Sequence, residues 1–194
     1  MQTARTRTRD IARGAIRDEL AQVARDQFRR HGFDKVTFDD LAAAADVSRS
    51  TVLRYFGSKE EVVLSAFDTF GDRMAEAVRA RPAGEADWTV LRRALDPVVE
   101  HLSRQPSETI DLLRLVHDTP ALCTGLREKS VTWHQPLMDA LAERPAATPV
   151  LAAHVRVAAA MDCLTVALEH WVGDGGRADL ATFLDDAFSA LGSG

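Results

Sequence analysis

The sequence predicts an all-α fold, and three observations predict it. Alanine is abundant while aromatic residues make up only 6% of the chain, a composition that favours helices. Apolar residues recur at three- and four-residue spacing along almost the whole length. No stretch alternates β-branched and polar residues at the two-residue period of a strand. A chain of 194 residues holds one large domain or a small one attached to a larger one, and 46% hydrophobic content is ample for a core.

The first helix is expected from about Ala15 to Arg30, with Ile16, Leu20, Val23, Ala24 and Phe28 on one face. Gly32 can take the left-handed conformation that closes such a helix. Thr37 is placed to cap the second helix, with Asp40 three residues on to complete a capping box. A turn at Ala45-Asp46-Val47 leads to a third helix opened by Ser48 and ended by Gly57. Ser58 to Glu61 form another capping box, which starts a long fourth helix to about Arg79 with Val63, Phe67, Phe70, Met74 and Val78 in a stripe.

After Arg81-Pro82-Ala83-Gly84, the series Trp88, Leu91, Leu95, Val98 and Leu102 predicts a helix interrupted by Pro97. Ser107 is read as the cap of the next, and Thr119-Pro120 as the cap and first residue of another, kinked at Pro136 and ending near Arg144. Residues 150–172 read as one alanine-rich helix. A glycine turn at 173–176 precedes the last, which contains Leu180, Phe183, Leu184, Ala187, Phe188 and Leu191.

Within this plan, residues 37–59 carry the functional signal. Val47, Val52 and Phe56 point into a core, while Arg49, Ser50, Leu53 and Arg54 point outward. A short helix held by its back, with arginines and hydroxyls on its front, suits a DNA major groove; this is the helix-turn-helix arrangement. The charge distribution agrees. The chain has a net charge of −5, but residues 1–60 hold 12 Lys+Arg and 9 Asp+Glu, net +3, against 12 and 20, net −8, for residues 61–194. Positive charge for meeting phosphates is confined to the segment with the motif. Ordinary charge scatter would also give such a split, so its weight comes from the motif beside it.

Other classes find little support. No phosphate loop, dinucleotide fingerprint or nucleophile elbow occurs, and the six histidines never fall at a paired metal-ligand spacing. No catalytic residue, metal or cofactor is therefore expected. The arginine-rich N-terminus lacks the apolar stretch of a signal peptide, and no apolar run is read as approaching a membrane span. Cys123 and Cys163 lie in apolar helical patterns and are expected as buried free thiols of a reduced, cytoplasmic protein, the alternative being a disulfide that nothing in their spacing favours.

Residues 12–64 resemble the tetracycline-repressor (TetR) family of transcription regulators. The resemblance is carried by Phe28-Arg29-Arg30-His31-Gly32-Phe33, Val36 to Ala42, Ala45 to Thr51 and Tyr55-Phe56-Gly57-Ser58-Lys59-Glu60-Glu61. Beyond residue 65 the likeness is one of plan. The segment Leu112–Leu191, with Thr119-Pro120-Ala121-Leu122 and Trp171, is similar to acyl-CoA-type regulatory domains of some actinobacterial members. Asp46 stands where the family usually has glycine, and aspartate tolerates the left-handed conformation better than most residues. Ser50 replaces a common glycine. Leu53 stands where a tyrosine commonly meets a phosphate, leaving a thymine methyl as its alternative partner.

The resemblance implies three regions: a flexible basic arm at 1–12, a DNA-binding domain at 13–60, and a ligand-binding and dimerisation domain at 61–194. Thr37, Thr51, Tyr55 and Lys59 match positions that usually meet phosphates. Arg49, Ser50, Leu53 and Arg54 are the candidates for base edges, each alternatively a solvated surface residue. The arm, with arginine at 5, 7 and 9, is either a basic tail or a minor-groove contact. Phe70, Trp88, Val116, His117, Trp133, Met138, Met161 and Thr165 are the candidate lining of an effector pocket, with core packing as the alternative for each. Ala158, Phe183, Leu184, Ala187, Phe188 and Leu191 are expected at a homodimer interface of the last two helices, the alternative being that these faces are consumed within one subunit. The implied protein is a repressor released from operator DNA by a small hydrophobic or amphipathic molecule, with the fourth helix as the lever. A small-molecule binding protein with a vestigial DNA domain is the competing reading.

Overall fold

The computed structural model describes residues 2–145 and 148–192, with the side chains of residues 1–11 outside the description. Among the described residues every regular element is helical. The chain divides into two compact units, Met1–Phe67 and Asp68–Gly194.

The first unit contains α1 (Gln2–His31), α2 (Phe38–Ala44), α3 (Arg49–Tyr55), α4 (Lys59–Leu64) and a 3₁₀ turn, Ser65–Phe67. Its core gathers Leu20, Ala24, Phe28, Phe33, Leu41, Val52, Phe56 and Val63. Phe28 and Phe33 pack 5.0 Å apart across the bend at Gly32, whose φ of 85° supplies the expected left-handed turn. Ile16 is exposed rather than buried, and Val47 is half-buried. The helix also begins earlier than expected. Nothing between Gln2 and Gly14 breaks a helix, so the backbone assigned to the arm continues α1. The arginines at 5, 7 and 9 lie outside the described side chains.

The caps form as the sequence implies. Thr37 and Asp40 make a complete capping box, and Ser48 accepts from the Thr51 N–H at 3.1 Å. Ser58 accepts from the Glu61 N–H at 3.0 Å, but the Glu61 carboxylate reaches the Gly57 N–H at 2.7 Å instead of the cap residue's own. Asp46 takes the left-handed conformation with φ 51°. Around it the Val47 N–H bonds the Ala42 carbonyl at 3.0 Å and the Asp46 N–H bonds Ala43 at 3.3 Å, the paired bonds of a Schellman closure. Asp46→Gly is therefore expected to raise stability by about 1 kcal/mol, since glycine meets no Cβ penalty there. Thermal unfolding of the full chain measures it, and an unchanged or lower midpoint would show that the aspartate side chain compensates.

The long fourth helix does not form as one piece. It ends at Leu64, tightens into the 3₁₀ turn, and helix resumes only at α5 (Phe70–Arg79). Ser65 Oγ donates to the Val62 carbonyl at 2.7 Å, a local bond that competes with the helical ladder. Asp68 turns its carboxylate to Lys129. The expected single-helix lever is thus jointed at residues 65–69.

The second unit comprises α5, α6 (Asp87–Ala94), α7 (Asp96–Ser103), α8 (Pro106–Asp118), α9 (Pro120–Ala142), α10 (Val150–Gly173) and α11 (Leu180–Gly192). Pro97 sits in the first turn of α7 and separates it from α6, as expected. The cap of α8 is Gln105, not Ser107, because Pro106 takes the first helical position. Helix α9 runs on through Pro136. Met74, Val78, Leu91, Leu95, Leu122, Leu137, Trp171, Leu180 and Leu184 fill the centre. α5 approaches α9 so closely that a Cβ on Gly71 would lie 2.9 Å from Trp133 Cδ1.

Two buried arginines tie the periphery. Arg92 bonds Asp96 and Asp185 at 2.5 Å each, linking α6 to α7 and α11. Burial opposes its charge, but the two carboxylates outweigh that and raise its pKa. Arg144 donates to the carbonyls of Pro82 and Glu85 at 2.9 Å each and so pins the loop before α6. Cys163 is buried, and burial with the neighbouring Asp162 raises its thiol pKa; Cys123 is only half-buried, contrary to expectation. The membrane reading also needs correction, because α10 is long and apolar enough to cross a membrane by length and composition. Its alanine and valine content produces that signal. One face, with Ala153, Val157, Ala160, Leu164 and Trp171, is packed in the core, and the rest is interrupted by Arg156, Asp162 and Glu169.

Candidate nucleic-acid interface

Helix α3 is held by Val52 and Phe56, both buried, and by its contacts with α2. This leaves Arg49, Ser50, Leu53 and Arg54 exposed on the opposite side, with Leu53 43% exposed, so all four predicted base-reading residues share the outward face. Arg49 Nε lies 3.8 Å from an Asp39 carboxylate oxygen on α2.

The predicted phosphate contacts have more varied surroundings. Thr37 Oγ1 donates to Asp40 at 2.7 Å and accepts from the Asp40 N–H at 3.2 Å, so its hydroxyl hydrogen is already committed within the capping box. The same bonds hold the Asp40 carboxyl below its ordinary pKa, the Thr37 hydroxyl being the largest cause. Ser48 Oγ is a hub, 2.8 Å from Ser50 Oγ and 2.9 Å from Thr51 Oγ1. Tyr55 is half-buried, with the Arg54 guanidinium 5.3 Å and the Arg13 guanidinium 6.0 Å from its ring centre. Lys59 Nζ donates to the Phe33 carbonyl at 2.8 Å and sits 4.7 Å from the Phe33 ring centre. It braces α4 against the bend after α1 and retains two ammonium hydrogens for other acceptors.

Sequence reasoning missed Arg13, Arg17 and Asp39. Arg13 and Arg17, one turn apart on α1, lie against Tyr55 and Phe56, Arg17 at 5.1 Å from the Phe56 ring centre and 3.7 Å from Glu61. Nothing in the local pattern announces this, because the partners are some forty residues away.

In the second unit the predicted pocket residues separate. Phe70, Val116, Trp133, Met138 and Met161 are buried, and Phe70 and Trp133 pack with ring centres 5.7 Å apart. Trp88 is elsewhere, stacked 4.4 Å from Phe188 with its Nε1 donating to the Phe188 carbonyl at 3.3 Å. His117 and Thr165 are exposed, so neither is a polar handle inside the core; Thr165 Oγ1 instead donates to the Met161 carbonyl at 3.0 Å. Each lies one helical step from the buried face, at Val116 and Leu164, and residues so placed fall outside it. The polar groups beside the aromatic pair are His101, edge-on to Phe70 at 5.6 Å, and Arg73, whose Nη1 is 3.3 Å from His101 Nδ1. Arginine has no acceptor, so any hydrogen bond in this pair runs from the guanidinium to the imidazole nitrogen.

The expected interface residues separate as well. Leu184 and Phe188 are buried within the subunit, Phe188 against Trp88. Ala158, Phe183 and Ala187 are half-buried and Leu191 is exposed. The large apolar residues left on the surface of α10 are Val150, Leu151, Val155 and Val166.

Comparison with known proteins agrees with this architecture. Residues 20–66 match the family described as bacterial regulatory proteins, tetR family, and residues 85–194 match the MftR C-terminal domain. The HTH-type transcriptional regulator TcmR of Streptomyces glaucescens is 30% identical over 120 residues, 59% of this chain and 53% of that protein, so the match spans about half of TcmR. A Mycobacterium tuberculosis protein named for transcriptional regulation of mycofactocin biosynthesis, MftR, is 29% identical over 188 residues, 90% of this chain and 88% of that one. Among solved structures, Thermus thermophilus FadR, a TetR-family repressor solved with lauroyl-CoA, superimposes with a TM-score of 0.61 at 24% identity, covering 90% of this chain and 92% of FadR. FadR of Bacillus halodurans gives 0.59 at 18% identity, covering 90% and 93%. With a helix-turn-helix unit matching one description and more than half of the chain matching the other, this protein belongs to the TetR family of bacterial transcriptional regulators, with a C-terminal domain of the MftR type.

Proposed function

We propose that the chain is a homodimeric repressor that reads an operator through α3 and leaves it when a hydrophobic or amphipathic effector binds the second unit. The observation that carries this reading is the outward face of α3. Arg49, Ser50, Leu53 and Arg54 are all exposed there while the helix is locked from behind by Val52 and Phe56. Arginine pairs with guanine, the serine hydroxyl donates or accepts, and leucine meets a thymine methyl. Thr51, Tyr55 and Lys59 supply phosphate contacts around it, with Arg13 and Arg54 adding charge beside Tyr55. Thr37 acts through the helix it caps.

The apolar residues exposed on α10, with the small Ala158 and Ala159 between them, support a two-fold pairing of this helix with its copy. For the effector, the Phe70–Trp133 pair with Arg73 and His101 beside it supports the junction of α5, α7 and α9 as the responsive region. An acyl-CoA is the first compound to try, given the lauroyl-CoA of the Thermus relative.

The test is selection of binding sites from randomised duplex DNA by the full chain. A pseudo-palindrome with half-sites about 34–36 Å apart, or a multiple, is expected. Arg49→Ala should then relax one base position per half-site and cost about 1–3 kcal/mol. Lauroyl-CoA is titrated into the resulting complex, and release supports an acyl thioester effector. No release removes that class. Failure to select any sequence would favour a small-molecule binding protein with a vestigial DNA unit.

A further inference from the structure

Asp39 faces Arg49, and its place is odd for a DNA-contacting unit. Of the two acidic residues in the first turn of α2, Asp40 is consumed by the capping box with Thr37, bonding both its backbone N–H and its hydroxyl. Asp39 has no such duty. It is 73% exposed in its side chain, on the first turn of α2, with a carboxylate oxygen 3.8 Å from Arg49 Nε. A fixed negative charge beside the reading helix repels phosphates and weakens binding to every sequence alike. A residue that costs affinity in this way can still contribute specificity.

The atom it faces, Arg49 Nε, indicates how. A guanidinium reads guanine with two parallel N–H groups directed at O6 and N7. An unrestrained arginine spreads over many rotamers and loses that freedom on binding. A carboxylate on the Nε side attracts the guanidinium, weakly at 3.8 Å, yet leaves the terminal Nη1 and Nη2 edge clear. We propose that Asp39 is a positioning residue for base reading, holding Arg49 through Nε so that its terminal amino groups meet one guanine edge together. The same charge lowers affinity for operator and random DNA alike, so Asp39 raises discrimination only by orienting the correct contact. This rests on the reading of α3 as the operator-contacting helix.

The experiment is a double-mutant cycle on the full chain, with binding to the selected operator, to the operator altered at the guanine read by Arg49, and to random duplex. Asp39→Ala should lower the ratio of operator to random-duplex affinity about tenfold and relax preference at that one base position. Affinity for random duplex should rise at the same time. In the Arg49→Ala background, removing Asp39 should leave the remaining preference at that position unchanged. An acidic residue in the first turn also stabilises α2 through its dipole, but that role moves the unfolding midpoint and not the preference at a single base. Should the alanine variant unfold, Asp39→Asn keeps the shape, removes the charge and carries the same expectation. An unchanged ratio and preference in the Asp39 variants would overturn the proposal, as would an equal loss in the Arg49→Ala background. A wild-type chain that selects no sequence would instead overturn the operator reading and this inference with it.

Discussion

Val155→Asp is expected to leave each subunit folded and to turn the proposed dimer into monomers. Val155 is 61% exposed in the isolated chain and Leu151, one turn earlier on α10, is 76% exposed, so the new carboxylate meets water in the monomer and costs its fold little. In a two-fold pairing of α10 the substitution enters twice, and two carboxylates near the axis lose both apolar burial and hydration. Loss of the dimer separates the two recognition helices, and avidity of this kind is worth about 10²–10⁴ in affinity. Operator binding should fall by that order while binding to random duplex changes far less. Sedimentation or light scattering across a concentration series reads the assembly. A concentration-independent dimer would place the interface on another face.

Phe188→Asp has the opposite expected outcome, although Phe188 lies on the helix adjacent to α10. Its side chain is 4% exposed, packs 4.4 Å from Trp88, and lies on the face of α11 that also buries Leu180 and Leu184. Removing a buried phenylalanine costs about 3–5 kcal/mol, and an unpaired buried carboxylate adds to that. For a domain of ordinary stability this is most of the margin, so the second unit should unfold or lose its cooperative transition. Chemical denaturation measures it. A wild-type midpoint accompanied by monomer formation would show Phe188 at the subunit interface after all.

These two substitutions mark where sequence periodicity stops being informative. An apolar stripe reports that a helix face is buried, but not whether its partner belongs to the same subunit or to another. Phe183 to Leu191 read as surface to spare, yet Leu184 and Phe188 are consumed inside the subunit, while the exposed apolar residues sit on α10. His117 and Thr165 fail for a related reason. A polar residue next to a buried position reads as facing the core, whereas each lies one helical step off it. The break at residues 65–69 was hidden because the apolar stripe continues through it: Val63, Phe67 and Phe70 are all buried although the helix between them is not continuous.

What the sequence determined by itself was local or carried by dense short-range pattern. The all-α class, the caps at Thr37, Ser48 and Ser58, the left-handed turns at Gly32 and Asp46, and the outward face of α3 all depend on residues within a few positions of one another. Such features are set by backbone sterics and helical period, which a sequence displays directly. The tertiary structure alone decided which distant residues meet. It placed Arg13 against Tyr55, Lys59 on the Phe33 carbonyl, Asp39 beside Arg49, and Arg73 with His101 next to the Phe70–Trp133 pair. These contacts join separate helices, and their geometry follows from how the helices cross and pack, which no local spacing encodes.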